Sequence, residues 1–182
     1  MGVPKLTVWD DDDVSEHNIP MSAYRLEKDL MRAKVEALRE IVKEATGLLI
    51  DIRKERYAGQ EPLAGPVVAC VDTMEARQAV WRSVRMNTDV DILIDTRTAE
   101  KLLWVFSVSP CDHEDAAYYD RHVSYGTKQA APHMCGQHGW MPMSYRAAGL
   151  VAENLTTWWM SGIKVLHHKE YVASPVTAQE AP

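Results

Sequence analysis

The chain has 182 residues, 46% of them apolar and 25% charged, with a formal net charge of −6. That length suffices for one domain with a real core and hardly for two. The acidic balance argues against a nucleic-acid partner, which would need a basic face, no apolar run approaches the roughly 18 residues of a membrane span, and three cysteines make no disulfide framework.

The first five residues lead directly towards a strand and lack the apolar stretch of a secretory signal. The reducing cytoplasm is therefore the expected compartment. Residues 5–9 read as a short buried strand, ended by the acidic run Asp10, Asp11, Asp12, Asp13. A loop through Asn18-Ile-Pro20 follows, since the proline disfavours helix at Ile19. Over residues 26–45, Leu30, Ala33, Ala37, Leu38, Ile41 and Ala45 recur at helical spacing, and Gly47 is a plausible stop. Residues 48–53 form a second expected strand, 59–66 a turn-rich connector, 67–71 a third strand and 73–86 a helix. Residues 92–94 are another buried strand, and 101–109 alternate as an antiparallel strand does.

Residues 110–139 are poor in aliphatic side chains and rich in Tyr, His, Gly and Pro, which reads as a long functional or mobile loop. A strong helix over 145–160 places Ala148, Val151, Ala152, Leu155 and Trp159 on one face, and Gly162 ends it. A last strand spans 164–173. Residues 174–182 are expected to be a disordered tail, leaving 1–173 as one α/β domain.

Two segments carry the chemistry. Each is an apolar strand running straight into carboxylates: Trp9-Asp-Asp-Asp-Asp-Val-Ser-Glu-His-Asn18 and Val67-Val-Ala-Cys-Val-Asp-Thr-Met-Glu-Ala-Arg77. Ligands of open α/β sheets bind at the carboxyl ends of strands. The run from Asp10 to Asp13 is either a solvated acidic turn or part of such a site. Lys34 falls in the middle of the apolar arc set by Leu30, Ala37, Leu38 and Ile41, so it either snorkels to the rim or reaches a buried anion. Asp72 reads as the N-cap of the following helix, a metal ligand, or both. Arg77 pairs with Glu75 or with surface carboxylates. Cys70, inside a strand, reads as core.

Taken together, Leu6-Thr-Val-Trp-Asp-Asp-Asp-Asp-Val-Ser-Glu-His-Asn18, Ala33-Lys34-Val-Glu-Ala37 and Val71-Asp72-Thr-Met-Glu-Ala-Arg77 resemble the ThiF/MoeB/HesA family of the ubiquitin-activating-enzyme superfamily. The family pattern is a strand ending in Asp-x-Asp, an Asn six residues on, Gly-x-x-Lys-x-Glu on the next helix, and Asp-Asn-x-x-x-Arg after a later strand. The stretch from Cys135 to Ala152 also looks like the family's approach to its C-terminal helix. The resemblance covers residues 3–172 and implies a Rossmann-like, doubly wound, mostly parallel sheet with a C-terminal antiparallel portion. It also implies ATP as substrate, with Asp10 on the ribose hydroxyls, Asp12 and Asn18 lining the nucleotide site, Lys34 neutralising phosphate charge and Asp72 binding magnesium. Attack at phosphorus needs such cations for the developing charge. The implied reaction adenylates the C-terminus of a ubiquitin-like or sulfur-carrier protein. The alternative is a non-catalytic scaffold or dimerisation subunit of the same fold. A dinucleotide-dependent oxidoreductase is disfavoured, because the glycine fingerprint is absent and Lys34 has no role there.

The chain also departs from the pattern. Its 182 residues contain no Gly-x-Gly-x-x-Gly, Met21 stands where an arginine is expected and Ser22 where a glutamine is, Met31 replaces the glycine before Lys34, and Thr73 replaces the asparagine after Asp72. A doubly wound sheet whose first strand is missing has an unpaired centre. The expectation is a homodimer, or a heterodimer whose second chain supplies the strand and the glycine loop.

Cys111-Asp-His113 and Cys135-Gly-Gln-His138 hold two Cys and two His, the ligand set of a tetrahedral zinc site. Cys111 alone also suits a thioester nucleophile, since ubiquitin-activating relatives carry one in that region. The remaining reading is free thiols and surface histidines.

Overall fold

The computed structural model describes residues 5–99, 102–124, 126, 141–163 and 168–171. The chain divides into two compact units, residues 1–57 with 136–141, and residues 58–135 with 142–182.

In the first unit, β1 (Thr7–Trp9) lies parallel to β2 (Asp51–Arg53), with Thr7 opposite Asp51 and Trp9 opposite Arg53. A 3-10 helix at Glu16–Met21 takes in Pro20, where a plain loop was expected. The single helix expected over 26–45 is two, α1 (Leu26–Asp29) and α2 (Lys34–Thr46). Tertiary pairing overrides local propensity here. The chain after β1 bonds to the interhelix segment, Val14 N–H to Arg32 C=O at 2.8 Å, Met31 N–H to Val14 C=O at 2.8 Å and Lys34 N–H to Asp12 C=O at 2.9 Å. Those bonds draw residues 30–33 out of the helix, and Met31 takes φ +62°. Gly47 stops α2 as expected, with φ +75° and its N–H on Lys43 C=O, the αL cap for which glycine is suited.

The second unit is a four-stranded sheet in the order β3-β4-β5-β6. β3 (Val67–Ala69) is parallel to β4 (Leu93–Ala99); β4 is antiparallel to β5 (Leu102–Val108), and β5 to β6 (His168–Tyr171). The expected antiparallel portion is present. Leu93, Ile94, Leu103, Val105, Phe106 and Val108 are buried. α3 (Met74–Val84) brings Met74, Val80, Trp81 and Val84 to that core.

Residues 110–139 contain α4 (His113–Val123), which corrects the reading of the whole stretch as a loop. Its buried face is Ala116, Tyr119 and Val123, and Tyr119 sits edge-on to Trp81 and Phe106 at 4.7 and 5.4 Å. Val123 is the one branched aliphatic on that face, so the stripe that marks the helix is short and weak.

α5 (Met141–Ser161) matches the expected C-terminal helix, and Gly162, at φ +68°, ends it with its N–H on Trp158 C=O. The side it buries differs from expectation. Met143 and Asn154 are buried, whereas Ala148, Ala152 and Trp159 face outwards. The tail at 174–182 lies outside the described residues.

Candidate functional site

Asp10 directly follows β1, at the carboxyl end of a parallel strand, and its N–H bonds to Arg53 C=O at 3.2 Å. Its carboxylate folds back to accept the Asp12 N–H at 2.8 Å. Asp12 in turn accepts a 2.6 Å charge-assisted bond from Lys34 Nζ. Lys34 is the first residue of α2 rather than a mid-helix position, because the chain breaks just before it. The break is what brings the lysine to the acidic end of β1. Its side chain is 19% exposed and that of Asp12 57%, so this is a pair at the rim of the molecule. Pairs of that kind contribute only about 0–1 kcal/mol. Lys34 can therefore exchange Asp12 for another anion at little cost.

Burial pushes the Asp10 carboxyl above its usual range, against the Asp12 amide and the Lys34 charge, which pull the other way. Tyr24 closes this corner, with its hydroxyl 3.4 Å from Lys34 C=O. Burial, and after it the charges of Asp10 and Asp29, push that phenol up to about 12, so it stays a neutral donor near neutral pH. Sequence reasoning had no signal for Tyr24. The carboxylate oxygens of Asp10, Asp11 and Asp12 can lie within 4.8 Å of one another, an all-oxygen set of the kind hard cations take.

Asn18 is half-buried in the 3-10 helix, and its side-chain oxygen accepts from Ser15 N–H at 3.0 Å and Ser15 Oγ at 2.8 Å. In this arrangement it caps its own turn. Below the site, Asp29 is fully buried and accepts from Arg25 N–H at 2.7 Å, Arg25 Nε at 2.9 Å and Arg25 Nη2 at 3.0 Å. The Arg25 side-chain bonds hold its carboxyl below the usual range. This ties α1, and so the segment leading into Lys34, to a fixed anion.

Asp72 is in the second unit, exposed, three residues past β3. The reading of Asp72 as N-cap is corrected: Thr73 caps α3, its Oγ1 accepting from Ala76 N–H at 3.2 Å. The threonine that replaces the pattern's asparagine thus has a structural use, and it leaves the Asp72 carboxylate out of the cap. Arg77 is not a surface partner of Glu75. It is 1% exposed and donates to Val71 C=O at 3.0 and 2.7 Å and to Thr96 C=O at 3.2 Å, while pairing with Asp95 at 3.3 Å. Asp95, fully buried, also accepts from Arg97 Nε at 2.8 Å and Tyr119 Oη at 2.9 Å. Burial first, and then the Asp95 charge, raise the Tyr119 phenol well above its ordinary value. The guanidinium of Arg77 therefore clamps the carbonyl immediately before Asp72. The signal was legible, because Met74, Arg77, Trp81 and Val84 form one buried helical stripe with a cation inside it.

Cys111 and His113 are exposed at the start of α4, whose N-terminus is capped by Asp112. Cys135 and His138 lie outside the described residues, and with them half of the zinc set. Cys70, expected in the core, is exposed just beyond β3, because it follows the last paired strand residue.

Comparison with solved structures shows that the chain shares the α/β fold of MccB and PaaA. E. coli MccB is similar over 96% of this chain and 57% of its own, at 14% identity and TM-score 0.62; MccB with succinimide gives 96%, 59%, 14% and 0.63. PaaA is similar over 91% of this chain and 63% of its own, at 13% identity and TM-score 0.59. The chain thus spans about three fifths of the length of these proteins. No family model and no curated protein matches it.

Proposed function

We propose that this chain contributes the carboxylate and lysine part of an ATP-dependent adenylyltransferase that activates the C-terminus of a ubiquitin-like or sulfur-carrier protein. The observation that carries the reading is the juxtaposition of Asp10, Asp12 and Lys34 at the carboxyl end of β1 in a ThiF-type fold. Asp10 would hold the ribose hydroxyls, and Asp12 and Asn18 would line the nucleotide. Lys34 would leave Asp12 for a phosphate oxygen, and Asp72 would hold magnesium, which supplies charge neutralisation at the phosphates. The carrier's carboxylate oxygen attacks the α-phosphorus of ATP, and pyrophosphate leaves.

The reading needs a glycine-rich phosphate loop, and none occurs in these 182 residues; a partner chain is the proposed source of one, and the cytoplasm the proposed place. The test is carrier-dependent exchange of labelled pyrophosphate into ATP by the chain co-purified with its genomic neighbours. Exchange that requires both the carrier's C-terminal carboxylate and Lys34 supports the proposal. Exchange untouched by Lys34→Ala overturns it.

A second reading, a non-catalytic scaffold of the same fold, is favoured by two observations: Lys34 is already neutralised by Asp12, and Met21 stands where the pattern has a cation. A complex that assembles fully yet shows no exchange with any carrier decides for it.

A further inference from the structure

A groove of about 400 Å³ runs along the outer side of α2, lined by Arg32, Glu36, Arg39, Glu40, Lys43 and Leu49. Two of the helix's carboxylates are committed to cations that precede it. Glu40 accepts a 2.6 Å bond from Arg32 and lies 3.9 Å from Arg25, and Glu44 pairs with Arg25 and, at 3.7 Å, with Lys28. Arg39 and Lys43 are exposed and, among the described residues, have no ion pair. They stand four positions apart on one face, where like charges repel when no anion lies between them. Arg32 and Glu40 cancel, so Arg39 and Lys43 outweigh Glu36 by one charge.

Past Lys43 the surface turns apolar. Gly47 reverses the chain, and Leu48 and Leu49 follow at 40% and 71% exposure before Ile50 goes inwards. Leu6, 53% exposed, flanks them, its C=O accepting the Asp51 N–H at 2.9 Å. Single exposed leucines are ordinary, but neighbouring ones beside a groove mark a contact surface. The spacing of the cations defines the occupant further. One helical turn separates them, about 6 Å along the axis. Alternate residues of an extended chain lie about 6.6 Å apart and face the same way. Acids at positions i and i+2 of an extended segment laid along α2 therefore meet Arg39 and Lys43, and the residues after them reach the leucines. Glu36, one turn before Arg39, repels a third acid and limits the run to two.

We infer that the outer groove of α2 docks an extended acidic segment of a partner protein, of the form acid-x-acid followed by apolar residues, with its carboxylates on Arg39 and Lys43 and its apolar end on Leu48 and Leu49. Exposed charge pairs contribute little individually but orient and select a partner, so the docking is transient and specific by charge. The inference stands on α2 and the turn after it, and does not depend on the nucleotide reading.

The experiment titrates acetyl-Glu-Ser-Glu-Leu-Leu-amide into the isotope-labelled full chain and follows its backbone amide resonances. The shifts should be largest over residues 36–49 and saturate with a Kd below about 1 mM. Affinity should fall several-fold as salt rises from about 50 to about 300 mM, because the charges are exposed. Arg39→Glu with Lys43→Glu should weaken binding at least about 10-fold, as like charges set face to face do. Should that double reversal disturb the fold, Arg39→Gln with Lys43→Gln carries the same comparison with a smaller loss. No saturable shift at about 5 mM peptide overturns the inference. So do equal shifts from acetyl-Lys-Ser-Lys-Leu-Leu-amide or acetyl-Ser-Ser-Ser-Leu-Leu-amide, or an affinity indifferent to the paired substitutions. Shifts over α2 that grow with protein concentration alone would make a second copy the occupant and overturn it as well.

Discussion

The two acidic strand ends are built in opposite ways. After β1, Asp10 and Asp12 are held by one backbone bond, one amide–carboxylate bond and a rim ion pair, and the backbone of residues 12–14 is fixed by pairing with residues 31–34. After β3, the turn carrying Asp72 shows no such pairing among the described residues and is clamped from beneath by the buried Arg77–Asp95 pair. The first arrangement leaves its charges free to exchange partners. The second keeps its charges inside and leaves the Asp72 carboxylate exposed. Rim pairs suit groups that must release a partner for a ligand; buried pairs suit groups whose task is to hold backbone.

Breaking the buried clamp should have the largest effect. Arg77→Met leaves Val71 C=O and Thr96 C=O without their donor and Asp95 short of a cation, so it should destabilise by about 3–5 kcal/mol in urea denaturation. A loss no greater than that of a surface substitution would mean the clamp is not structural.

Next is Asp29→Asn, expected to cost about 3 kcal/mol because it removes the charge from a buried pair. It also carries a pH signature. The Asp29 carboxyl is lowered in the fold by Arg25, so its contribution is fully present above the unfolded value of about 3.9 and is lost as pH falls through the lower folded value. Melting curves of the wild type should fall more steeply than those of Asp29→Asn as pH drops below about 4. Parallel curves would show that the pair does not set the acid limb.

Two smaller effects sharpen the contrast between the loops. Thr73→Ala should cost about 1 kcal/mol by removing the cap of α3. Met31→Gly should raise stability by up to about 1 kcal/mol, since Met31 holds φ +62°, where a side chain is strained and glycine is not. Differential scanning calorimetry reads both. A lower melting temperature in Met31→Gly would contradict the strain argument.

Much of this was legible beforehand. Short apolar runs ending in acids mark β1 and β3, alternation marks β5, and glycines at 47 and 162 mark helix ends because only they take the left-handed cap cheaply. The break before Lys34 was not legible. Met31 is a good helix former, and the break arises from residues 12–14, which are distant in sequence. Its one trace is that the ThiF-type pattern has glycine where Met31 sits at positive φ. α4 was missed because its buried stripe is Ala116, Tyr119 and Val123. α5 was assigned as a helix with the wrong side inwards, since a helix apolar on nearly every side has no periodicity to orient it. At the candidate site, the residue types and spacing singled out Asp10, Asp12 and Lys34, which lie together in the structure, but their contacts depended on the unforeseen break. Arg77 was misjudged only because the rule applied to Lys34, a cation in an apolar stripe, was not applied to it.

The measurement that tests the central claim most directly is calorimetric titration of magnesium–ATP into the chain alone, into its complex with a co-expressed neighbour, and into that complex carrying Lys34→Ala. Each missing charged hydrogen bond removes about 1.5–3 kcal/mol. The chain alone should therefore bind no tighter than millimolar, the complex should bind at micromolar concentrations, and Lys34→Ala should return the complex to the weak regime. Micromolar binding by the chain alone, or by the complex regardless of Lys34, would contradict the account.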